Sequence, residues 1–435
     1  MARKLYLIGS GITSATIASQ LKSEYEVVVL EKNSFVGGLC ATHKCKDINY
    51  EFGVHVLYTR NEQQKEFFNK YLVNNLQNYY VNLSIDGTLQ KTSLYDFPIS
   101  ENNVFRIKQL DNRSPKHEYK IGNNFENYCI KQLGYEAYEY FVKNYNIKQW
   151  GIHPADMIDE WAKFRAFNIR KESPNKMFGD LEAGHPSSFN NLFEECFHGC
   201  TVDLDTKVNK ITTAGNGYVN KIFITTYSKS LGENTKCKID INPNDLVINT
   251  APIDDILDDP QYPLVWRDII KCFIMLDNND DLTPSYSTTF PNTYKFTRVI
   301  DYNKTSGNKN KNRLLSFAFP CSKWDDFDEK TALADIRHFF DCNGIDRDKI
   351  ISQFFKYENK VYPVSTVDNI KNITGLLNIA SNIKNFYTSG RQGLFAYVSI
   401  ARAYEMGMDV VNAIKGNYDN FQKFAMYQDQ RENLW

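Results

Sequence analysis

The segment from Lys4 to Glu31 runs strand, glycine turn, helix, strand and acid, and few folds use that order. Lys4-Leu5-Tyr6-Leu7-Ile8 is a short apolar run, broken by Gly9-Ser10-Gly11-Ile12-Thr13-Ser14. Ala15 to Leu21 has helical character, and Glu26-Val27-Val28-Val29-Leu30 delivers Glu31. In a strand–turn–helix of this kind the first glycine permits the tight turn. The second admits a pyrophosphate to the helix N-terminus, and an acid about 20 residues on accepts hydrogen bonds from a ribose. Gly9, Gly11 and Glu31 fill those places. Ser14 stands where a third glycine is usual, which would set helix and strand slightly farther apart. The bland alternative is a phosphate-free strand–turn–helix. Gly37-Gly38-Leu39, close behind the acid, favours a dinucleotide of the flavin type over a nicotinamide one.

A chain of 435 residues is too long for one hydrophobic core, so two or three domains are expected. With 51 basic against 52 acidic residues there is no electrostatic argument for nucleic acid or an anionic membrane as partner. No apolar run approaches the ~18 residues of a spanning helix. Met-Ala-Arg-Lys leads straight into the first strand, so no signal peptide is expected. Nine cysteines, scattered and without a C-x-x-C pair, suit a reducing cytoplasm. Cys196, His198 and Cys200 crowd within one helical turn and lack a distant fourth ligand, so no metal is assigned.

Farther along, Tyr50 to Leu57 alternates like a strand, Asn61–Leu72 is helical, and residues 81–85 and 88–93 read as a hairpin about Asp86-Gly87. Helical spacing dominates from Asn124 to Phe167. Strand character returns at residues 200–208 and 221–227, and Asp245 to Thr250 is a buried strand. Ile269–Leu276, Thr297–Tyr302 and Arg313–Phe319 suggest a second sheet. The expected fold class is α/β, a Rossmann-like domain with a helical insertion and an antiparallel-sheet insertion. Residues 1–95, 196–260 and 371–435 would form the nucleotide domain, 96–195 the mainly helical insertion, and 261–370 the antiparallel-sheet substrate domain.

Several stretches lie in the order of one known family: Gly9–Ser14, Glu31-Lys32 with Gly37-Gly38, Phe52-Gly53-Val54-His55-Val56, and Lys148-Gln149-Trp150-Gly151. They continue with Phe296-Thr297-Arg298-Val299-Ile300, Val361-Tyr362-Pro363-Val364 and Ser389-Gly390-Arg391, with Tyr397 beyond. The chain resembles the UDP-galactopyranose mutase family, within the flavin amine-oxidase-like folds. That resemblance implies FAD, active in its reduced form and without net redox change. In that family N5 of the flavin displaces UDP from the anomeric carbon, and the sugar opens and recloses as a five-membered ring.

The same resemblance implies the site. Gly9, Gly11, Ile12, Ser14, Glu31, Lys32, Gly38, Leu39, Gly53, His55, Val208, Gly390 and Arg391 would hold the cofactor, with His55 beside the isoalloxazine. Arg298 and Arg165 would grip the diphosphate as bidentate cations, with Arg170 competing for the second place. Tyr362 and Tyr397 would donate hydroxyl hydrogen bonds, Trp150 would wall the sugar, and Asn103 is a further substrate-binding candidate. Ordinary alternatives stand beside these: a core tryptophan, packed tyrosines, a salt-bridged Arg298 and a satisfied core histidine. The flavin supplies the nucleophile, and no Ser, Cys or Asp triad offers itself.

Three stretches depart from the family pattern. Gly184-His185-Pro186-Ser187-Ser188 replaces a paired-glycine segment, residues 392–396 are less polar, and the interval from Arg298 to Tyr362 is longer. The expected substrate is a nucleotide-linked sugar, UDP-galactose by default, with a deoxy- or acetamido-sugar or another nucleotide as alternatives. A homo-oligomer is compatible with the sequence. The competing functions are a flavin oxidoreductase of the amine-oxidase type and a nucleotide-sugar-binding homologue without turnover.

Overall fold

The computed structural model describes residues 3–432 apart from 54, 60, 76–80, 98, 111–122, 160–181, 187, 231, 278–279, 281 and 305–310. Two sheets organise it. The first is parallel and five-stranded, in the order Thr201–Asp203, Glu26–Leu30, Lys4–Ile8, Leu246–Asn249, Phe386–Thr388. Alternation explains why its central strands are apolar throughout. Leu5, Leu7, Val27 and Val29 face one core, while Tyr6, Ile8, Val28 and Leu30 face a second core on the other side. A parallel sheet covered on both faces needs this.

The helix Ile12–Leu21 follows the first strand and packs against the helix Ile400–Lys415. Gly407 makes that crossing close, because a Cβ there would lie 2.9 Å from Thr16 Cβ. Together with the strand order, this is a Rossmann-like α/β domain.

The second sheet has seven strands in the order Ile350–Pro363, Trp266–Leu276, Arg313–Cys321, Arg298–Asp301, Ser287–Thr289, Val81–Ser84, Leu94–Phe97. Every pairing is antiparallel except that of Ser287–Thr289 with Val81–Ser84. The expected hairpin therefore lies on the far edge of this sheet, and its return strand is Leu94–Phe97 rather than residues 88–93. Asp86 explains the delay: its carboxylate binds Ser84, Thr88 and Ser93, tying the chain into a wide loop.

Two further expectations change. The alternating stretch from Tyr50 to Leu57 is not one strand, since Ile48–Glu51 and Leu57–Thr59 belong to different small sheets. The helix expected over residues 61–72 covers Glu62–Asn69, capped by Asn61 Oδ1 on Gln64 N, and Leu72 begins a strand. Beside the second sheet lie Phe125–Leu133, a π-helical turn at Tyr138–Lys143, and Asn144–Trp150. Gly151 closes the last of these in the left-handed conformation at φ 70°.

Candidate active site

Both sheets line one cleft of about 460 Å³, within the roughly 300–1,000 Å³ range of ligand pockets. It begins at the turn after the first strand. Gly9 sits at φ +92°, where a Cβ would also strike Thr250 Oγ1 at 2.8 Å. Gly11 is different: nothing lies within 4 Å of where its Cβ would be, so its open side faces the cleft. It caps the helix Ile12–Leu21 with no side-chain hydrogen bond, leaving the first N–H groups for an anion. Gly38, at φ +54°, faces Gly11 with 3.9 Å from its would-be Cβ to Gly11 Cα, and Leu39 follows it along the wall.

Glu31 braces this turn. Its Oε2 accepts from Ser10 N at 3.0 Å and Ser10 Oγ at 2.5 Å, and its Oε1 accepts from Asn33 N at 2.8 Å. A carboxylate carries about four lone-pair sites, so one remains for a ribose hydroxyl. Lys32 and Val208 also line this end, with Lys32 donating to Asn359 Oδ1 at 3.2 Å. Ser14 does not reach the cleft. Its hydroxyl pairs with Thr250 Oγ1 at 2.9 Å, tying the helix to the turn after Leu246–Asn249.

The middle of the cleft is cationic. Gly53 has room only for hydrogen beneath His55, because a Cβ there would meet His55 Nε2 at 2.1 Å. His55 Nδ1 is buried without a partner. Desolvation, then the charges of Lys271, Arg391 and His185, lower its pKa to about 3, so the ring is neutral. Gly390, at φ +81°, presses on Thr13, and Arg391 follows it. Arg391 donates to Val361 O at 3.1 and 3.0 Å and stacks on Tyr397 at 4.1 Å from the ring centroid.

The far end is aromatic. Trp150, Tyr362 and Tyr397 form a triangle with ring separations of 5.9, 5.9 and 5.7 Å. Tyr362 is half-buried in the cleft wall, and desolvation pushes its phenol up to about 12, so its hydroxyl stays protonated and can donate. Trp150 is 2% exposed, and its indole N–H is already bound to Asn146 Oδ1 at 3.0 Å. It offers an apolar surface only. Arg298 lines the cleft beside this triangle and donates to the hydroxyl of Tyr145.

Asn103 stands apart from the cleft lining, in the helix Glu101–Leu110, with its amide donating to Asp96 O at 2.9 Å. Arg165, Arg170 and Ser187 lie outside the described residues. Ser188 accepts from Asn190 N at 3.1 Å, while Gly184 to Pro186 extend along a strand between two partners. His185, buried in that strand, pairs with Glu51 at 3.1 Å.

Tyr145 and Lys271 are among the cleft residues outside the candidates read from the sequence. The signal for Lys271 was available: a lysine interrupts the apolar run Ile269 to Leu276, in a strand buried along its whole length. Tyr145 falls in the stretch of helical spacing from Asn124 to Phe167, which by itself gives no sign of a site. Among the described residues no group of three His, Cys, Asp or Glu could hold a metal, and no helix is long and apolar enough to cross a membrane.

A glycine-built parallel sheet facing an antiparallel sheet across one cleft defines a two-sheet dinucleotide-binding protein. Residues 7–71 match the model of an NAD(P)-binding Rossmann-like domain, and residues 140–330 match that of the UDP-galactopyranose mutase family. It is 26% identical over 228 residues to the dTDP-fucopyranose mutase of Escherichia coli, covering 48% of this chain and 58% of that one. With the UDP-galactopyranose mutase of Mycoplasma genitalium it shares 23% over 217 residues, 46% and 52% of the two chains. The chain thus spans about half the length of the curated relatives it matches. In fold, a crystal structure of reduced UDP-galactopyranose mutase aligns with TM-score 0.73 at 16% identity, over 100% of this chain and 98% of that one. An oxidoreductase from Methanosarcina mazei aligns with TM-score 0.61 at 14% identity, over 94% and 100%.

Proposed function

We propose that this protein is a flavin-dependent mutase that interconverts the pyranose and furanose forms of a nucleotide-linked sugar. One observation carries the proposal: a single cleft joins the Gly9–Gly11 turn to Arg298, Tyr362 and Tyr397. A dinucleotide seated at the first end would place its ring toward His55, with the diphosphate of the nucleotide-sugar at the far end beside Arg298.

The residues fit FAD. Gly11 leaves open the space a Cβ would fill, the helix beyond it has no side-chain cap, and His55 Nδ1 is an orphaned buried atom beside the cleft. The Gly9–Ile12 turn, Gly38, Glu31, Val208 and Arg391 would hold it. When bound and reduced, the flavin supplies N5 as nucleophile toward the anomeric carbon, with no net redox change.

The chain's own residues do the rest. Arg298 opposes the charge of the departing diphosphate through a fixed guanidinium fork. Tyr362 and Tyr397 donate to its oxygens without adding charge. Trp150 presents an apolar wall that keeps water from the reacting carbon. Arg165 or Arg170 would supply a second guanidinium, and Lys32 would lie beside the cofactor's ribose.

UDP-galactose is the default substrate, and the dTDP-fucopyranose mutase relative makes a dTDP-linked sugar the second. Thermal shift of the purified yellow protein tests the nucleotide end, since a ligand that binds only the folded state raises Tm. UDP or dTDP at millimolar concentration should raise it. A flavin-loaded protein that shifts with neither supports the rival flavin oxidoreductase, which needs no diphosphate grip.

A further inference from the structure

Two cations in the cleft stand in one row of the seven-stranded sheet. Lys271 pairs in register with Ala318, and Ala318 pairs on its other side with Arg298. Residues directly opposite across a ladder project from the same face, and all three line the cleft. Two inter-strand spacings put the Cα atoms of Lys271 and Arg298 roughly 9–10 Å apart. Between them in the row stands only the methyl side chain of Ala318.

Lys271 is 2% exposed, and its one recorded hydrogen bond goes to Tyr302 Oη at 3.4 Å. Tyr302 is itself committed to Glu51 O at 2.7 Å. Glu51, the carboxylate acting on Lys271, is already engaged by Thr42 Oγ1 at 2.9 Å and His185 Nε2 at 3.1 Å. Among the described residues no carboxylate lies within ion-pair distance of Lys271. A lysine held this way is costly for the fold alone, since a buried ammonium needs a counter-charge.

We propose that Lys271 is a second anion-binding residue of this cleft, paired with Arg298 across Ala318, and that its partner is the diphosphate of the bound nucleotide-sugar. This rests on the nucleotide-sugar reading above. The remaining charged or titratable groups around Lys271 are Lys356 in the adjoining strand and His55 from the segment packed on the sheet. Neither supplies the missing negative charge.

A proton accompanies this role. Desolvation, with the charge of Arg298, holds the Lys271 amine well below the usual lysine range, and an arriving anion reverses that balance. Nucleotide binding should then draw a proton onto Lys271 and weaken as pH rises. A lysine that only fills space would show neither effect.

The test is calorimetric titration of the oxidised holoprotein with UDP, and in parallel dTDP, in buffers of different ionisation enthalpy. Wild type should take up close to one proton per nucleotide. Lys271→Met should lose that uptake and bind roughly tenfold or more weakly. Lys271→Arg, permanently charged, should keep most of the affinity without uptake. Uridine, lacking phosphate, should cause no uptake in any variant. A Lys271→Met protein that binds like wild type with its uptake intact overturns the proposal, as does wild-type binding without proton exchange. If Lys271→Met does not fold, Lys271→Arg decides by the same two readings. Holoprotein that binds neither UDP nor dTDP overturns the nucleotide-sugar reading itself.

Discussion

The guanidinium of Arg391 lies over the ring of Tyr397, 4.1 Å from its centroid, while its nitrogens hold the carbonyl of Val361. The tyrosine hydroxyl is not what makes this stack. Tyr397→Phe should keep Tm and weaken UDP or dTDP binding. Tyr397→Ala should lose about 1–2 kcal/mol of stability as well. Thermal melts beside nucleotide titrations separate the two. A Phe variant with unchanged affinity removes Tyr397 from the diphosphate site.

Arg298 should act on the nucleotide and leave the cofactor alone. Loss of a charge-assisted contact costs roughly 1.5–3 kcal/mol, so Arg298→Ala should bind UDP about tenfold to 100-fold more weakly and retain its flavin absorbance. Normal turnover in that variant would show that Arg298 has been given the wrong role.

Gly53→Ala tests the seat of His55. With a Cβ 2.1 Å from the imidazole, the ring must leave its position. Flavin content per mole of purified protein should drop sharply, and a fully loaded variant would contradict the placement of the ring beside the cofactor.

His55 also gives a pH dependence with a definite sign. Its folded pKa is lowered from 6.5 to about 3, so the unfolded chain takes up a proton that the folded chain refuses. Stability contributed by the neutral ring is fully present above about pH 6.5 and is lost as pH falls toward 3. Denaturation of His55→Gln across that window should show a flatter acid limb than wild type. Equal slopes would place the histidine in a solvated site.

Lys271→Met should not melt below wild type, because it replaces a buried amine that has no carboxylate within ion-pair distance among the described residues. A clear drop in Tm would mean that the ammonium serves the fold.

The amino-terminal turn was legible because its chemistry is local: Gly9, Gly11 and Glu31 are fixed by spacing along one strand–turn–helix. The strands around Ile269, Arg298 and Arg313 were legible from their apolar runs. The row that joins Lys271, Ala318 and Arg298 was not, because cross-strand register depends on which strands become neighbours, and Lys271 and Arg298 stand 27 positions apart. The position of Val81–Ser84 on the second sheet was hidden for the same reason, its parallel partner lying some 200 residues on. Trp150 was placed at the cleft by resemblance, but a helix-internal bond from its N–H to Asn146 is a matter of side-chain geometry. Ser14 stands where the motif usually has a third glycine, and its hydroxyl pairs with Thr250 instead.

Chemically reduced protein incubated with UDP-galactopyranose and dTDP-fucopyranose, followed by chromatographic analysis of the nucleotide-sugars, bears most directly on the whole account. The furanose form of at least one should accumulate to equilibrium, and oxidised protein should produce none. Flavin-loaded, reduced protein that leaves every nucleotide-sugar in its pyranose form would contradict it.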